Sequence, residues 1–234
     1  MSREFDDRHV VVTGGTGALG TAVIDILLRA GAVCHVPVRS ERSAKRLPDS
    51  ERVLTTALAD LTDETAVREF YEGLPSLWAS IHAAGGFAMT PIAETSRDDV
   101  RDQMLMNFVS SFLCSREAVR KLRSAGGGGR IVNVAARPAV EPRQGSGMIA
   151  YTASKAAVAA ATEALAEEVA AEGIWVNAVA PSIMDTPANR AAIPDADFSR
   201  WPRVEDVATA IVFLASPSNR TARGSIVKVY GKSG

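Results

Sequence analysis

Short apolar runs alternate with segments of helical spacing along almost the whole chain. Val10 to Val12 is such a run, and it is followed by apolar residues at helical spacing up to Ala30. Strands are predicted over 10–12, 33–38, 53–58, 78–84, 130–135, 175–180 and 225–230, and helices over 19–30, 43–47, 62–73, 96–125, 153–173 and 205–215. Strands that are apolar throughout are typical of a parallel sheet with helices on both faces. The alternation therefore predicts an α/β fold with three layers, a doubly wound parallel sheet of about seven strands, which is a Rossmann-type sheet.

The size and charge of the chain limit the possible functions. Its 234 residues, 47% of them apolar, suit one domain spanning 1–234 with a sizeable core. The formal net charge is −1 and the basic residues are scattered, so nucleic acid is not expected as a partner. No apolar run is long enough to span a membrane and the first nine residues are polar, so neither export nor membrane insertion is indicated.

The cysteines and histidines predict no metal site. Cys34 and Cys114 each lie inside an apolar stretch, which favours buried thiols in a reducing compartment over a disulfide. The three histidines lack the spacing of metal ligands. A cytoplasmic protein is the expectation.

A glycine-rich turn follows the first predicted strand and opens the first predicted helix. A helix N-terminus in that position can hold a pyrophosphate, and glycines allow the backbone to approach it. The alternative is a tight turn without a ligand, but the position at the first strand–helix junction favours a dinucleotide. The candidate cofactor-binding residues in the turn are Gly14, Thr16, Gly17, Leu19 and Gly20.

Tyr151 and Lys155 lie four residues apart in a segment that is predicted to be helical. This spacing places a phenol and an ammonium on one face. A tyrosine ordinarily titrates near ~10, and a nearby cation favours the phenolate, so a lowered pKa of Tyr151 is predicted. The pair alone is a common pattern that also occurs in packing or solvated positions, and its significance depends on the other motifs.

Together with Asn107, these motifs resemble the short-chain dehydrogenase/reductase family. The resemblance implies that Tyr151 donates a proton and that Lys155 lowers the pKa of Tyr151 and binds the cofactor ribose. It also implies that Asn107 orders a water that relays protons to Lys155. It also implies a set of cofactor-binding residues near the adenine, after the fourth strand and beside the nicotinamide. These are Asp60, Leu61, Ala84, Gly85, Pro181, Met184 and Thr186.

The end of the second strand indicates which dinucleotide is preferred. Val38 stands where family members that prefer NAD have an acidic residue, and Arg39 follows it. An arginine there suits a 2′-phosphate, with which it makes charged, bidentate hydrogen bonds, and Arg42 is close enough to assist. The alternative is that Arg39 only stacks on the adenine. NADPH is the predicted cofactor and NADH the weaker candidate.

The family's serine, which polarises the substrate carbonyl, is missing. Ala136 occupies its place after the fifth strand, and the surrounding stretch resembles dihydropteridine reductases, which keep the tyrosine and lysine without the serine. Ser146 is a candidate replacement donor or a surface residue, and Arg137 either orients a polar substrate or lies on the surface.

Three functions remain open. The first is hydride transfer from NADPH to an activated C=O or C=N acceptor, such as quinonoid dihydropterin, for which one donor suffices. The second is a general carbonyl reductase, and the third is a dinucleotide-sensing protein without turnover. A small-molecule substrate is expected in each catalytic case, with a short lid over 187–202 and candidate contacts from Ala136, Phe87, Met148 and Trp201.

The resemblance further implies a homodimer or a homotetramer that packs through the helices bearing Asn107 and Tyr151. The alanines of the second helix, including Ala160 and Ala164, allow close approach of a partner. The same face could instead pack on the sheet.

Overall fold

The structure, a computed structural model, describes residues 3–233. It contains one sheet whose strand pairs are all parallel, in the order β3-β2-β1-β4-β5-β6-β7. The strands are β1 His9–Thr13, β2 Val33–Val38, β3 Val53–Ala57, β4 Ala79–His82, β5 Gly129–Val134, β6 Ile174–Pro181 and β7 Ile226–Val229. The predicted doubly wound parallel sheet of about seven strands is confirmed.

Helices connect the strands. They are α1 Ala18–Arg29, α2 Glu41–Ala44, α3 Glu64–Glu72, α4 Arg97–Gln103, α5 Ser110–Ser124, α6 Arg137–Val140, α7 Ile149–Glu168, α8 Pro187–Ala192 and α9 Val204–Ala215. Helices α1 and α9 share one core with the sheet, and α3 and α5 share the core on the opposite face.

The central strands β1, β5 and β6 contain apolar runs because each of them contributes side chains to both cores. In β1, Val10 and Val12 belong to the core beneath α1 and α9, while Val11 belongs to the core beneath α3 and α5. Neighbouring side chains of a strand point to opposite faces. The continuous apolar runs of these strands therefore result from helices covering both faces of the sheet.

The helix boundaries differ from the prediction at several places. Helix α7 spans Ile149–Glu168 rather than 153–173, so Tyr151 lies in its first turn. The predicted helix over 96–125 is divided by a π-helical stretch, Met104–Val109, between α4 and α5. The helices α6 and α8 were not predicted, because they are short and each begins with a proline at its first or second position. Helix α2 begins at Glu41 rather than at residue 43, because Ser40 and Ser43 form a reciprocal capping box.

All seven strands end at the same edge of the sheet, and strands β1 and β4 are neighbours there although they are not consecutive in the chain. Ligands of open α/β sheets bind outside the carboxyl ends of the strands at such a switch point. The glycine-rich turn, Ala84, Ala136 and Tyr230 all follow strands that end at this edge.

Cys34 and Cys114 are buried and free, as predicted, and burial raises the pKa of both thiols to about 12. Two of the histidines form a pair that the sequence did not predict: His9 Nδ1 lies 2.7 Å from His35 Nε2. Across residues 3–233, no helix combines the length and the apolar character needed to cross a membrane.

Candidate active site

The glycine-rich turn lies tightly against the end of β4. Gly14 has a positive φ of 69°, and a Cβ there would lie 2.6 Å from the backbone nitrogen of Ala84. A Cβ at Gly20 would overlap the carbonyl oxygen of Gly14. Side chains at these two positions would push the turn away from β4 or from α1, so the glycines are required by the fold of the turn itself.

The N-terminus of α1 faces this turn without a side-chain cap. Gly17 is the N-cap residue, no side chain accepts a hydrogen bond from the first turn, and the first turn carries no acidic residue. Backbone N–H groups at the start of a helix have no intrahelical acceptor, and they favour an anion. The turn therefore has the features of a phosphate site.

Lys155 is buried at the end of β5. Its Nζ donates a hydrogen bond of 2.8 Å to the carbonyl oxygen of Val134, and only 6% of the residue is exposed. Burial lowers the pKa of this ammonium to about 8. Gly85 lies in the turn that follows β4, and a Cβ there would be 3.2 Å from Nζ. The lysine ammonium is therefore close to the backbone of this turn.

Asn107 holds the same turn. Its Oδ1 accepts a hydrogen bond from the Gly86 nitrogen at 2.9 Å, and its Nδ2 donates to the Gly86 carbonyl oxygen at 3.0 Å. Nδ2 also lies within hydrogen-bond distance of Gln103 Oε1 at 3.2 Å and Ser154 Oγ at 3.1 Å. The carboxamide is thus committed to positioning the turn, and the predicted water between Asn107 and Lys155 stays a prediction.

The π-helical stretch brings Asn107 to this position. Extra residues in a helical turn are frequent at functional sites, because they turn one side chain away from its ordinary direction. Asn107 is 1% exposed, whereas its neighbours Leu105 and Met106 are exposed. Ser154 connects Asn107 to the start of α7, since its Oγ donates to the carbonyl oxygen of Tyr151 at 2.8 Å.

Tyr151 lies in the first turn of α7, against Phe87. The two rings meet edge to face with a centroid distance of 5.0 Å and an interplanar angle of 82°. Burial raises the pKa of Tyr151 to about 12. This direction is opposite to the prediction, because the desolvation of the phenolate determines the pKa of Tyr151.

Ala136 lies two residues after the end of β5 and is the N-cap residue of α6, with 5% of its surface exposed. Its methyl group offers no hydrogen-bond donor. Ser146 is exposed in the turn before α7. Arg137 binds Glu141 through its Nε at 2.8 Å, and its guanidinium lies 4.9 Å from the ring centre of Tyr230.

Met148 is the N-cap residue of α7 and lines a small cleft next to the tyrosine. The cleft has a volume of about 10 Å³, which is close to the space of one water molecule. Its lining residues are Ala88, Thr90, Thr95, Asp99, Gln103, Met148, Ile149 and Ala150. Trp201 lies near the end of the predicted lid over 187–202, where its ring packs on Phe198 at a centroid distance of 5.0 Å.

The predicted adenine-side residues follow β2 and β3. Arg39 and Arg42 are both exposed beyond the end of β2. Asp60 is exposed after β3, and its Oδ1 accepts hydrogen bonds of 2.8 Å from the backbone nitrogen and the hydroxyl of Thr62. Leu61, next to Asp60, is half-buried. On the other side of the site, Thr186 caps α8 by accepting from the Asn189 nitrogen at 3.1 Å, and shortly before it in sequence Pro181 is buried and Met184 is half-buried.

Three contributors were missed by sequence reasoning: Gln103, Ser154 and the carbonyl oxygen of Val134. Gln103 precedes Asn107 by four residues and Ser154 precedes Lys155 by one, so both spacings were visible in the sequence. Polar residues at such spacings are common on exposed helix faces, and only the packing of α4 against α7 shows that these are buried.

The family model described as short chain dehydrogenase matches residues 8–197. Galactitol 2-dehydrogenase from Rhizobium johnstonii is 34% identical, with 96% of this chain and 94% of the relative covered. Cis-4-hydroxycyclohexanecarboxylate dehydrogenase from Sinomonas cyclohexanicum is 32% identical, with coverage of 99% and 98%.

Two solved structures are similar over nearly the whole chain. ElxO with NADP bound has a TM-score of 0.87 at 26% identity, covering 96% of this chain and 98% of that one. A short-chain type dehydrogenase/reductase from Mycobacterium ulcerans has a TM-score of 0.89 at 25% identity, covering 99% and 90%. A tyrosine-to-phenylalanine variant of ElxO has been solved with NADPH bound.

Proposed function

The chain belongs to the short-chain dehydrogenase family, and from that premise we propose that it is an NADP(H)-dependent oxidoreductase that interconverts the carbonyl and hydroxyl groups of a small polar molecule. The observation that supports this most strongly is the convergence of Tyr151, Lys155 and the uncapped, glycine-rich start of α1 at one edge of the sheet. Because the two relatives are named as dehydrogenases of hydroxy compounds, we favour this general function over the reduction of a dihydropterin.

The residues at this edge fit a dinucleotide. The close approach of Gly14 to Ala84 leaves no room for a side chain at position 14, and the uncapped N–H groups at the start of α1 suit a diphosphate. When bound, NADPH supplies the hydride. The chain itself must bind and orient the cofactor, hold the substrate carbonyl beside it and deliver a proton to the carbonyl oxygen.

Tyr151 is the proton donor in this proposal. Its raised pKa keeps the hydroxyl protonated at neutral pH, and Lys155 stabilises the phenolate that forms when the proton leaves. Asn107 keeps the Gly85–Gly86 turn against Lys155, so that the ammonium stays close to α7.

We propose NADPH over NADH because Arg39 is exposed directly after β2, and the ElxO structure carries NADP. Arg39→Ala should raise the Kd of NADPH about tenfold, which corresponds to one lost charged hydrogen-bonding partner. The Kd of NADH should stay the same. Arg46→Ala, which removes another exposed arginine, is the control. An equal loss for both cofactors would mean that Arg39 stacks on the adenine.

The alanine in place of the family's serine favours a second candidate function, the reduction of an activated acceptor. Ala136 offers no donor to a developing oxyanion, and a single donor of this kind is typically worth ~10²-fold in rate. An activated acceptor such as a 1,2-diketone or a quinonoid dihydropterin needs less stabilisation than a simple ketone.

The test compares steady-state oxidation of NADPH with a hydroxyketone, a 1,2-diketone, a simple ketone and quinonoid dihydropterin, for the wild type and for Ala136→Ser. The proposed function predicts turnover of the hydroxyketone or diketone, with dihydropterin slower. Ala136→Ser should increase the rate on the simple ketone most. Turnover of dihydropterin alone would support the second candidate, and NADPH binding without any turnover would support a sensing protein.

We also propose a cytoplasmic homo-oligomer. Val100, Leu105, Met106 and Phe112 are exposed apolar residues from α4 to α5. The exposed Ala160 and Ala164 of α7 do not pack on the sheet, which leaves them free for a second copy of the chain. Light scattering after gel filtration would distinguish a dimer or tetramer from a monomer, and Phe112→Asp should shift the equilibrium to the monomer.

A further inference from the structure

Three segments leave the sheet side by side on the substrate side of the site. Val134 of β5 is paired with Val179 of β6, and Pro181 of β6 is paired with Val229 of β7. Helix α6 therefore starts next to the substrate-side segment, residues 182–202, which in turn starts next to the C-terminal segment, residues 230–233. The first two segments carry Ala136 and Trp201, which the sequence predicts as candidate contacts of the substrate.

The C-terminal segment contacts α6 through side chains. The Arg137 guanidinium lies over the ring of Tyr230, and Arg137 also pairs with Glu141. Lys228 binds the other carboxylate oxygen of Glu141 at 3.3 Å. Arg137 is the main cause of the lowered pKa of Glu141. These contacts fix α6 to the end of β7.

The C-terminal segment contacts the substrate-side segment mainly through backbone atoms. The carbonyl oxygen of Arg200 accepts hydrogen bonds from the Lys232 nitrogen at 2.9 Å and from Ser233 Oγ at 3.1 Å. Gly231 has a φ of 62°, and a Cβ there would lie 2.7 Å from the nitrogen of Pro202. The approach is thus as close as two backbones allow, directly beside Trp201.

We propose that residues 230–233 are a latch that fixes the end of the substrate-side segment to α6 and thereby positions the substrate-binding walls. Gly231 and Arg137 are the positioning residues of this latch, and neither touches the reacting atoms. The inference rests on the proposed function, because it assigns the latch to the pocket in which the carbonyl substrate binds. It predicts that loosening the latch weakens substrate binding and leaves the cofactor site intact.

Gly231→Ala tests the latch against a matched control. Gly224 has the same φ of 62°, but a Cβ there meets only the Ala166 methyl at an ordinary distance of 3.5 Å. Both substitutions therefore introduce the same unfavourable backbone conformation, and only Gly231→Ala forces Pro202 away. Two readouts are used: the rate of limited tryptic cleavage after Arg190 and Arg200, assigned by mass spectrometry, and the kinetics of NADPH-dependent reduction of the best substrate of the panel.

Gly231→Ala should accelerate cleavage in the substrate-side segment about tenfold and raise KM for the carbonyl substrate about five- to tenfold. kcat and the Kd of NADPH should stay within twofold, and Gly224→Ala should resemble the wild type in all four quantities. Cleavage no faster than in Gly224→Ala would overturn the latch. A fall in kcat without a change in KM would overturn its role in substrate binding.

Arg137→Met gives a second test that leaves the glycine in place. It removes the guanidinium over Tyr230, while Arg143→Met removes an exposed charge from the neighbouring turn. Arg137→Met should raise KM and the cleavage rate in the same direction as Gly231→Ala, and Arg143→Met should change neither. If the wild type reduces no substrate of the panel, the proposed function fails, and the cleavage rates of the two pairs of variants still decide whether the latch exists.

Discussion

Two tyrosines of this protein, the buried Tyr71 and the half-buried Tyr151, have the same chemistry and opposite surroundings. Burial raises the pKa of both: that of Tyr71 well above its ordinary value, and that of Tyr151 to about 12. The Tyr71 hydroxyl lies 2.7 Å from Ser80 Oγ and 3.4 Å from His82 Nε2. Within residues 3–233, by contrast, no hydrogen bond contributes to the pKa of Tyr151.

The network of Tyr71 is closed inside the protein. His82 is 2% exposed, its Nδ1 lies 2.8 Å from Asn133 Oδ1, and Asn133 Nδ2 donates to Thr162 Oγ1 at 2.9 Å. Burial lowers the pKa of His82 to about 4, so the ring is neutral at physiological pH. Buried polar groups are stable when each finds a partner, and this network satisfies itself without a ligand.

The polar groups around Tyr151, which we call the open network, lie at the carboxyl edge of the sheet. Asn107, Ser154 and Gln103 are satisfied by one another and by backbone groups, whereas the tyrosine hydroxyl remains available to a substrate. The comparison teaches that a raised pKa alone does not mark a catalytic tyrosine. Within residues 3–233, Tyr151 differs from Tyr71 in that its hydroxyl has no hydrogen-bond partner and in that it lies one helical turn before the buried Lys155, at the carboxyl edge of the sheet.

The largest effect is expected from Tyr151→Phe. It should lower kcat by about 10³-fold, since a positioned general acid contributes 10²–10⁴-fold. The Kd of NADPH should remain within about twofold of the wild type, because the ribose contact that we propose for Lys155 does not involve the Tyr151 hydroxyl. Steady-state kinetics and fluorescence titration of NADPH measure the two quantities, and Tyr71→Phe is the control, with kcat unchanged. Retained turnover in Tyr151→Phe would remove the tyrosine from the mechanism.

Lys155 should make cofactor binding depend on pH. Its pKa of about 8 means that the ammonium is present below pH 8 and is lost as the pH rises through this value. If the ammonium binds the cofactor ribose, the Kd of NADPH is constant from pH 6.5 to 7.5 and rises up to ~10-fold per pH unit above 8. Lys155→Met should bind NADPH more weakly at pH 7 and show no such rise. A rise that persists in Lys155→Met would assign the titration to another group.

The sequence predicted those parts of the fold that depend on local pattern. The middle of β1, Val10 to Val12, is apolar at each position because both faces of the sheet are covered there, and this run is visible without any tertiary information. The Tyr151 and Lys155 spacing is similarly local, since one helix carries both residues. Parallel strands ending at one edge then place the glycine-rich turn beside them.

The rest depends on contacts between distant segments. The π-helical stretch that turns Asn107 inward is stabilised by the Gly86 backbone 21 residues earlier, and the contact of Gly231 with Pro202 joins segments that share no periodic pattern. The direction of the Tyr151 pKa was predicted incorrectly for the same reason. The tyrosine and lysine are neighbours in sequence, but the desolvation comes from the surrounding packing, including Phe87.

Tyr71→Phe should affect stability where Tyr151→Phe does not. Removing the Tyr71 hydroxyl takes a partner from Ser80 in a site that is completely buried, which typically costs about 1–2 kcal/mol. Urea unfolding at pH 7 should show this loss for Tyr71→Phe. Tyr151→Phe should unfold within about 0.5 kcal/mol of the wild type. Equal losses in both variants would mean that the Tyr151 hydroxyl also has a structural partner, and the distinction between closed and open networks would fail.

The smallest effect is expected from Gln103→Leu, at the boundary of the open network. Gln103 accepts a hydrogen bond from Asn107 Nδ2 at 3.2 Å, but Asn107 keeps its two bonds to Gly86 and its contact with Ser154 when that bond is lost. Leucine has a similar volume and is compatible with the helix, so the loss should be limited to the orientation of one carboxamide. We expect kcat to fall about two- to fivefold with stability nearly unchanged. Gln144→Leu, at the only other glutamine of the chain and in an exposed turn, should have no effect on kcat. A loss in Gln103→Leu as large as in Tyr151→Phe would mean that Gln103 acts directly in proton delivery, and that the open network extends through the small cleft to solvent.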